Sequence, residues 1–172
     1  GNFKSEVKAD GSNEEAKYTV NPIQLDTGIS PDPQKLNILF TEDRNVAHTY
    51  NTDEGFTIQS FPGDKNFTIL DPGERLLVNN GSGFVTIPDG YSGNKIIFKY
   101  NTAPLDPNAK FEFYAYDIEG FEFTHSITSI GSDNSSFNGK FEILDYILDS
   151  DADGDLDMYD FDSDNDGCND II

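Results

Sequence analysis

"KFEFYAYDIEGFEFTHSI" occupies residues 110 to 127. Apolar residues fall at every second place on both sides of a short turn signal, "DIEG". Side chains along a β-strand alternate between faces with a period of two. Phe111, Phe113 and Ala115 therefore share one face of a first strand. Phe121, Phe123, His125 and Ile127 share one face of a second. Two such strands joined by a short turn predict a β-hairpin. Tyr114 and Tyr116 fall on the opposite face of the first strand.

The pattern extends outward from there. From Ala16 to Leu148 short alternating runs recur: "YTVNPIQL", "LNILF", "GFTIQSF", "NFTIL", "RLLVN", "GFVTI", "NKIIFKY" and "KFEILDYIL". Turn signals such as "PDPQ", "FPGD", "DPGE", "NNGSG", "IPDGYSGN" and "APLDPN" separate them. No twelve-residue window holds a helical stripe. Roughly ten short strands with dense turns predict an all-β domain. The expected form is an antiparallel β-sandwich, immunoglobulin-like or jelly-roll, with a closed barrel as the alternative. Fourteen Phe and eight Tyr supply the core, although only 35% of the residues are hydrophobic. "FEFYAYDIEG" with the strand after it resembles the last hairpin of bacterial cadherin-like or immunoglobulin-like surface modules. That resemblance implies a β-sandwich of the kind found in secreted bacterial surface and adhesin proteins.

The chain divides into three. Residues 1–15 open the polar stretch "GNFKSEVKADGSNEEAK" and read as a linker. Residues 16–148 form the sandwich. Residues 149–172 are a separate acidic segment, cut off at Ile172, which suggests a longer protein with a next domain beyond. No apolar run is long enough to span a membrane, and no signal-peptide pattern opens the chain.

The formal charge is -21, and ten aspartates between Asp149 and Asp170 supply -10 of it. The remaining -11 is spread over the body. Such a surface repels nucleic acid and anionic membranes and suits cations or neutral partners. The single Cys168 has no partner for an internal disulfide and reads as a small apolar residue of the acidic segment.

Little in the body points to catalysis. The two histidines are His48, in "NVAHTY", and His125. His125 lies on an apolar strand face and reads as a hydrogen-bonded core residue. Nucleophile-elbow, phosphate-loop and Cys/His metal spacings are absent from the sequence. Carboxylates are plentiful, but nothing singles out a glycosidase pair, so no enzyme is expected. Tyr114 and Tyr116 read either as scattered surface aromatics or as a stacking platform for sugar rings. "NFT", "NGS" and "NSS" fit the glycosylation acceptor pattern.

The acidic segment carries the most specific signal. "DSDADGDLDMYDF" begins at Asp149, and "DSDNDGCNDII" begins thirteen residues later at Asp162. Asp149 aligns with Asp162, Asp151 with Asp164, Asp153 with Asp166, Gly154 with Gly167, and Asp157 with Asp170. A merely solvated acidic tail has no reason to keep Asp at alternate places with Gly at a fixed one. Calcium explains the spacing, because a D-x-D-x-D-G loop wraps successive carboxylates around one hard cation. The six ligand places of such a loop fall on Asp149, Asp151, Asp153, Asp155, Asp157 and Asp160. The seventh place donates a backbone carbonyl, so Asp155 serves there through its main chain. A thirteen-residue period leaves no room for the helices that flank an EF-hand or dockerin loop.

"DSDADGDLD" and "DFDSDNDGCND" resemble the thrombospondin type 3 repeat, an aspartate-rich calcium-binding repeat with little regular secondary structure. The resemblance implies an irregular segment holding two or more calcium ions. Its side-chain ligands would be Asp149, Asp151, Asp153, Asp157, Asp160, Asp162, Asp164, Asp166 and Asp170. Asp155 and the main chain at Cys168 would fill the carbonyl places. It also implies an extracellular home in a secreted, multimodular bacterial surface protein or polysaccharide-degrading enzyme. The partners expected are calcium, glycans or another surface protein. The expected role is adhesion or binding, with a carbohydrate-binding accessory module and a spacer without ligand as alternatives.

Overall fold

A computed structural model describes residues 1–7, 15–20, 35–45, 54–87, 91–127 and 135–147. His48 and the whole segment from Asp149 to Asp170, Cys168 included, lie outside the described residues. Within them there is no helix, and twelve strands build two antiparallel six-stranded sheets.

In chain order the strands are β1 (Asn2–Val7), β2 (Glu15–Val20), β3 (Lys35–Glu42), β4 (Glu54–Phe61), β5 (Phe67–Leu70) and β6 (Leu76–Asn79). They continue with β7 (Phe84–Val85), β8 (Tyr91–Gly93), β9 (Lys95–Tyr100), β10 (Glu112–Ile118), β11 (Gly120–Ile127) and β12 (Ser135–Ile147). The first sheet runs β1-β12-β3-β10-β5-β8, and the second runs β2-β11-β4-β9-β6-β7.

The order is nested. β1 pairs with β12, β2 with β11, β3 with β10, β4 with β9, β5 with β8 and β6 with β7. The chain is thus one long two-stranded ribbon, closed at the β6–β7 turn and wrapped so that successive segments alternate between sheets. Of the two expected forms of sandwich, this is the strand order of a jelly roll.

The stretch 110–127 is not a hairpin. β10 pairs with β3 and β5 in the first sheet, while β11 pairs with β2 and β4 in the second. The turn is an arch between the sheets. Phe111, Phe113, Ala115, Phe121, Phe123, His125 and Ile127 are all buried, as their alternation requires, but they face one another across the core. Asp117 takes a positive φ of 56° at a register shift between Ala115 and Ile118, and the chain then changes sheet between Ile118, still opposite Leu36 of β3, and Gly120, opposite Phe61 of β4. Aspartate tolerates this left-handed conformation better than most residues.

The expected linker at 1–15 also differs. Asn2–Val7 is β1, paired along its length with Lys140 to Ser135 of β12. Lys4 and Glu6 lend the segment its polar look, but Phe3, Ser5 and Val7 alternate with them and turn inward. The Phe3 ring lies on Gly139, where even an added Cβ would clash with it. Phe3 stacks on Tyr18 at 4.7 Å and tilts against Phe123 at 5.3 Å. The short β8 lies inside the run expected to be a turn, "IPDGYSGN".

The core is aromatic. Phe40, Phe56, Phe98, Phe113, Phe123 and Phe137 are fully buried, with ring pairs such as Phe98–Phe113 at 5.0 Å and Phe123–Phe137 at 4.9 Å. Edge-to-face and offset contacts of this kind add to the area that each ring removes from water.

Candidate functional site

β10 presents Glu112, Tyr114 and Tyr116 on the outer face of the first sheet. Tyr114 stands opposite Leu39 of β3 and Thr68 of β5, and Glu112 stands opposite Leu70. The two tyrosines differ. Tyr114 is half-buried and its hydroxyl donates to Glu112 Oε2 at 2.9 Å. That bond, then partial burial, pushes its phenol above the ordinary value. Tyr116 is 58% exposed and leaves a ring face open to solvent. The face thus offers one fixed ring, one open ring, a carboxylate and a threonine hydroxyl. Such a set can stack on a sugar ring and hydrogen-bond its hydroxyls. Exposed Leu70 and Leu144 belong to the same sheet.

His125 is the hydrogen-bonded core residue that its strand face predicts. Its Nδ1 meets Ser5 Oγ at 2.8 Å and its Nε2 meets Glu54 Oε1 at 2.7 Å. Serine, histidine and a carboxylate in line have the composition of a hydrolase triad. Here Ser5 and His125 are 0% exposed and Glu54 is 2% exposed, so the serine has no path to a substrate. The trio ties β1 of the first sheet to β11 and β4 of the second. Ser5 and Glu54 lie far from His125 in sequence, so sequence reasoning missed them. The one signal was that a histidine on an apolar face must find partners.

A second polar group spans the sheets at the end where β3 and β9 finish. The Arg75 guanidinium makes a two-pronged pair with the Glu42 carboxylate, Nη2 to Oε2 at 3.2 Å and Nη1 to Oε1. Tyr100 donates to Glu42 Oε2 at 2.8 Å, and Arg75 Nη1 donates to Ala109 O at 3.1 Å. The guanidinium lies 5.3 Å from the Phe111 ring centroid. Burial works against the Arg75 charge, yet the hydrogen bond and attraction from Glu42 outweigh it and hold the group above its ordinary value. Asp71 orders the approach by accepting the backbone N–H groups of Arg75 at 3.0 Å and Leu76 at 2.7 Å. These contacts build a cross-sheet latch.

Among the described residues no three His, Cys, Asp or Glu side chains gather in a way that could hold a metal ion. The calcium ligands expected from the sequence, Asp149, Asp151, Asp153, Asp155, Asp157, Asp160, Asp162, Asp164, Asp166, Cys168 and Asp170, lie outside the described residues. The chain matches no protein-family model, no curated protein and no solved structure.

Proposed function

We propose that the chain is an extracellular calcium-binding module in which the jelly-roll body serves adhesion or binding and the aspartate segment is a calcium-stiffened linker. The observation that carries this is the thirteen-residue repeat of Asp-x-Asp-x-Asp-Gly from Asp149 and from Asp162. Alternate carboxylates around a glycine turn suit a cation that takes six to eight oxygen ligands. The millimolar calcium of extracellular fluids saturates even weak modules of this kind. Without the ion, ten like charges in so short a run repel one another and bury no core. With it, the segment gains order and the join to whatever follows stiffens. The anchor suits that role, because β12 ends at Ile147, two residues before Asp149, and is paired with β3 up to its last residue.

Tyr114 and Tyr116 support a second reading, in which the body is a carbohydrate-binding accessory module of a secreted enzyme. The 58% exposure of Tyr116 favours it. A third reading is a spacer without ligand.

A glycan screen run with calcium and with chelator separates these readings. Binding that Tyr116→Ala abolishes supports the accessory module. Binding that needs calcium but not Tyr116 supports an adhesive site elsewhere. No binding in either buffer removes the glycan reading.

A further inference from the structure

We infer that β1 is a releasable strand, peeled from the sandwich when tension acts between Gly1 and the residues beyond Ile147. The inference rests on strand directions and stands apart from calcium binding.

Among the described residues β1 is an edge strand whose only ladder partner is β12, from Asn2 opposite Lys140 to Val7 opposite Ser135. Gly1 continues that ladder by exchanging both backbone hydrogen bonds with Phe141, at 2.6 and 2.8 Å. β12 runs on past this point to Ile147, opposite Lys35 of β3. At about 3.3 Å per residue, and with one bulged residue between Ile143 and Asp145, Ile147 lies roughly 17 Å beyond Gly1 along the strand.

Tension turns that line into the pulling axis. The force on Ile147 then points along β12 in its own direction and shears it against β3, loading many bonds at once. The force on Gly1 points the opposite way, back along β1 toward Val7. The chain at Gly1 must fold back on itself, and the ladder to β12 opens one pair at a time. Each net hydrogen bond is individually weak, so a ladder loaded in sequence fails before one loaded in parallel. Phe3 and the Ser5–His125 bond are the stops along the peel. Once they yield, the faces of Phe123, Phe137 and His125 that β1 covers are open.

Optical-tweezers extension of the full chain, held at residues 1 and 172, tests this. The expected trace shows an early lengthening of no more than about 50 Å, the contour of some fourteen residues, before the main rupture. Moving the first handle to Glu15 should remove the early event. So should a disulfide in Asn2→Cys/Lys140→Cys on a Cys168→Ser background, with reductant restoring it. Asn2 and Lys140 alternate with the hydrogen-bonded Gly1–Phe141 pair, so they form a close, non-hydrogen-bonded pair suited to cross-linking. A single rupture without the early event would overturn the inference. So would an early event that survives the cross-link, or one that vanishes on chelation and thus belongs to the aspartate segment.

Discussion

Phe123 shows what a single residue does in this core. Its ring lies 5.3 Å from Phe40, 5.8 Å from Phe56 and 4.9 Å from Phe137, and it is fully buried. Phe123→Ala should cost about 3–5 kcal/mol, measured by urea unfolding, because neighbours from two sheets cannot close the cavity together. Ser5→Ala should cost less, about 1–3 kcal/mol, by leaving His125 Nδ1 buried without its partner. Tyr116→Ala should change stability by less than about 0.5 kcal/mol, since its ring leans mostly into solvent. These inward and outward roles were legible in the sequence, because alternation assigns faces directly. The partners were not. Nothing local to His125 points to Ser5 or Glu54, and nothing local to Arg75 points to Glu42 and Tyr100, because only the wrapped ribbon brings them together.

β10 and β11 show the limit of the same signal for whole elements. Two strands with apolar inner faces fit a hairpin in one sheet or an arch between two, and the period of two is identical in both. What decides is the corner, where Asp117 takes a positive φ and a single residue, Glu119, separates the strands. β1 was hidden differently, since Lys4 and Glu6 made a half-buried edge strand look like linker. At the latch, burial first and then the Glu42 charge hold the Tyr100 phenol well above its ordinary value. In the unfolded chain that phenol ionises near pH 10. A group raised by folding contributes stability that is whole below the unfolded value and is lost as pH climbs toward the folded one. Stability should therefore decline above about pH 10. Tyr100→Phe should lose about 1.5–3 kcal/mol at pH 7, the worth of a hydrogen bond to a charged group, and decline less steeply in alkali. Urea unfolding at pH 7 and at pH above 10 measures both effects.

At the scale of the molecule, the proposed function makes the aromatic body and the aspartate segment separate sources of order. Among the described residues the core is built mainly of Phe, Ile, Leu and Val. Chelation should leave the main β unfolding transition in place, and circular dichroism during heating in calcium and in chelator checks that. Loss of the β signal on chelation would mean that body and segment fold as one. Magnesium should replace calcium poorly, because it demands tight octahedral geometry and holds its waters. The first repeat offers six ligand places within Asp149 to Asp160, against five from Asp162 to Asp170, so it should bind more strongly. Changing Asp151 and Asp153 together to Asn should abolish that site and loosen the second. Titration calorimetry of the full chain with calcium, repeated with magnesium, meets the central claim most directly. The account predicts at least two calcium ions per chain, the tighter one lost in the double variant, and much weaker heats with magnesium. A stoichiometry below one, or equal heats with the two metals, would contradict it and leave the segment a solvated acidic tail.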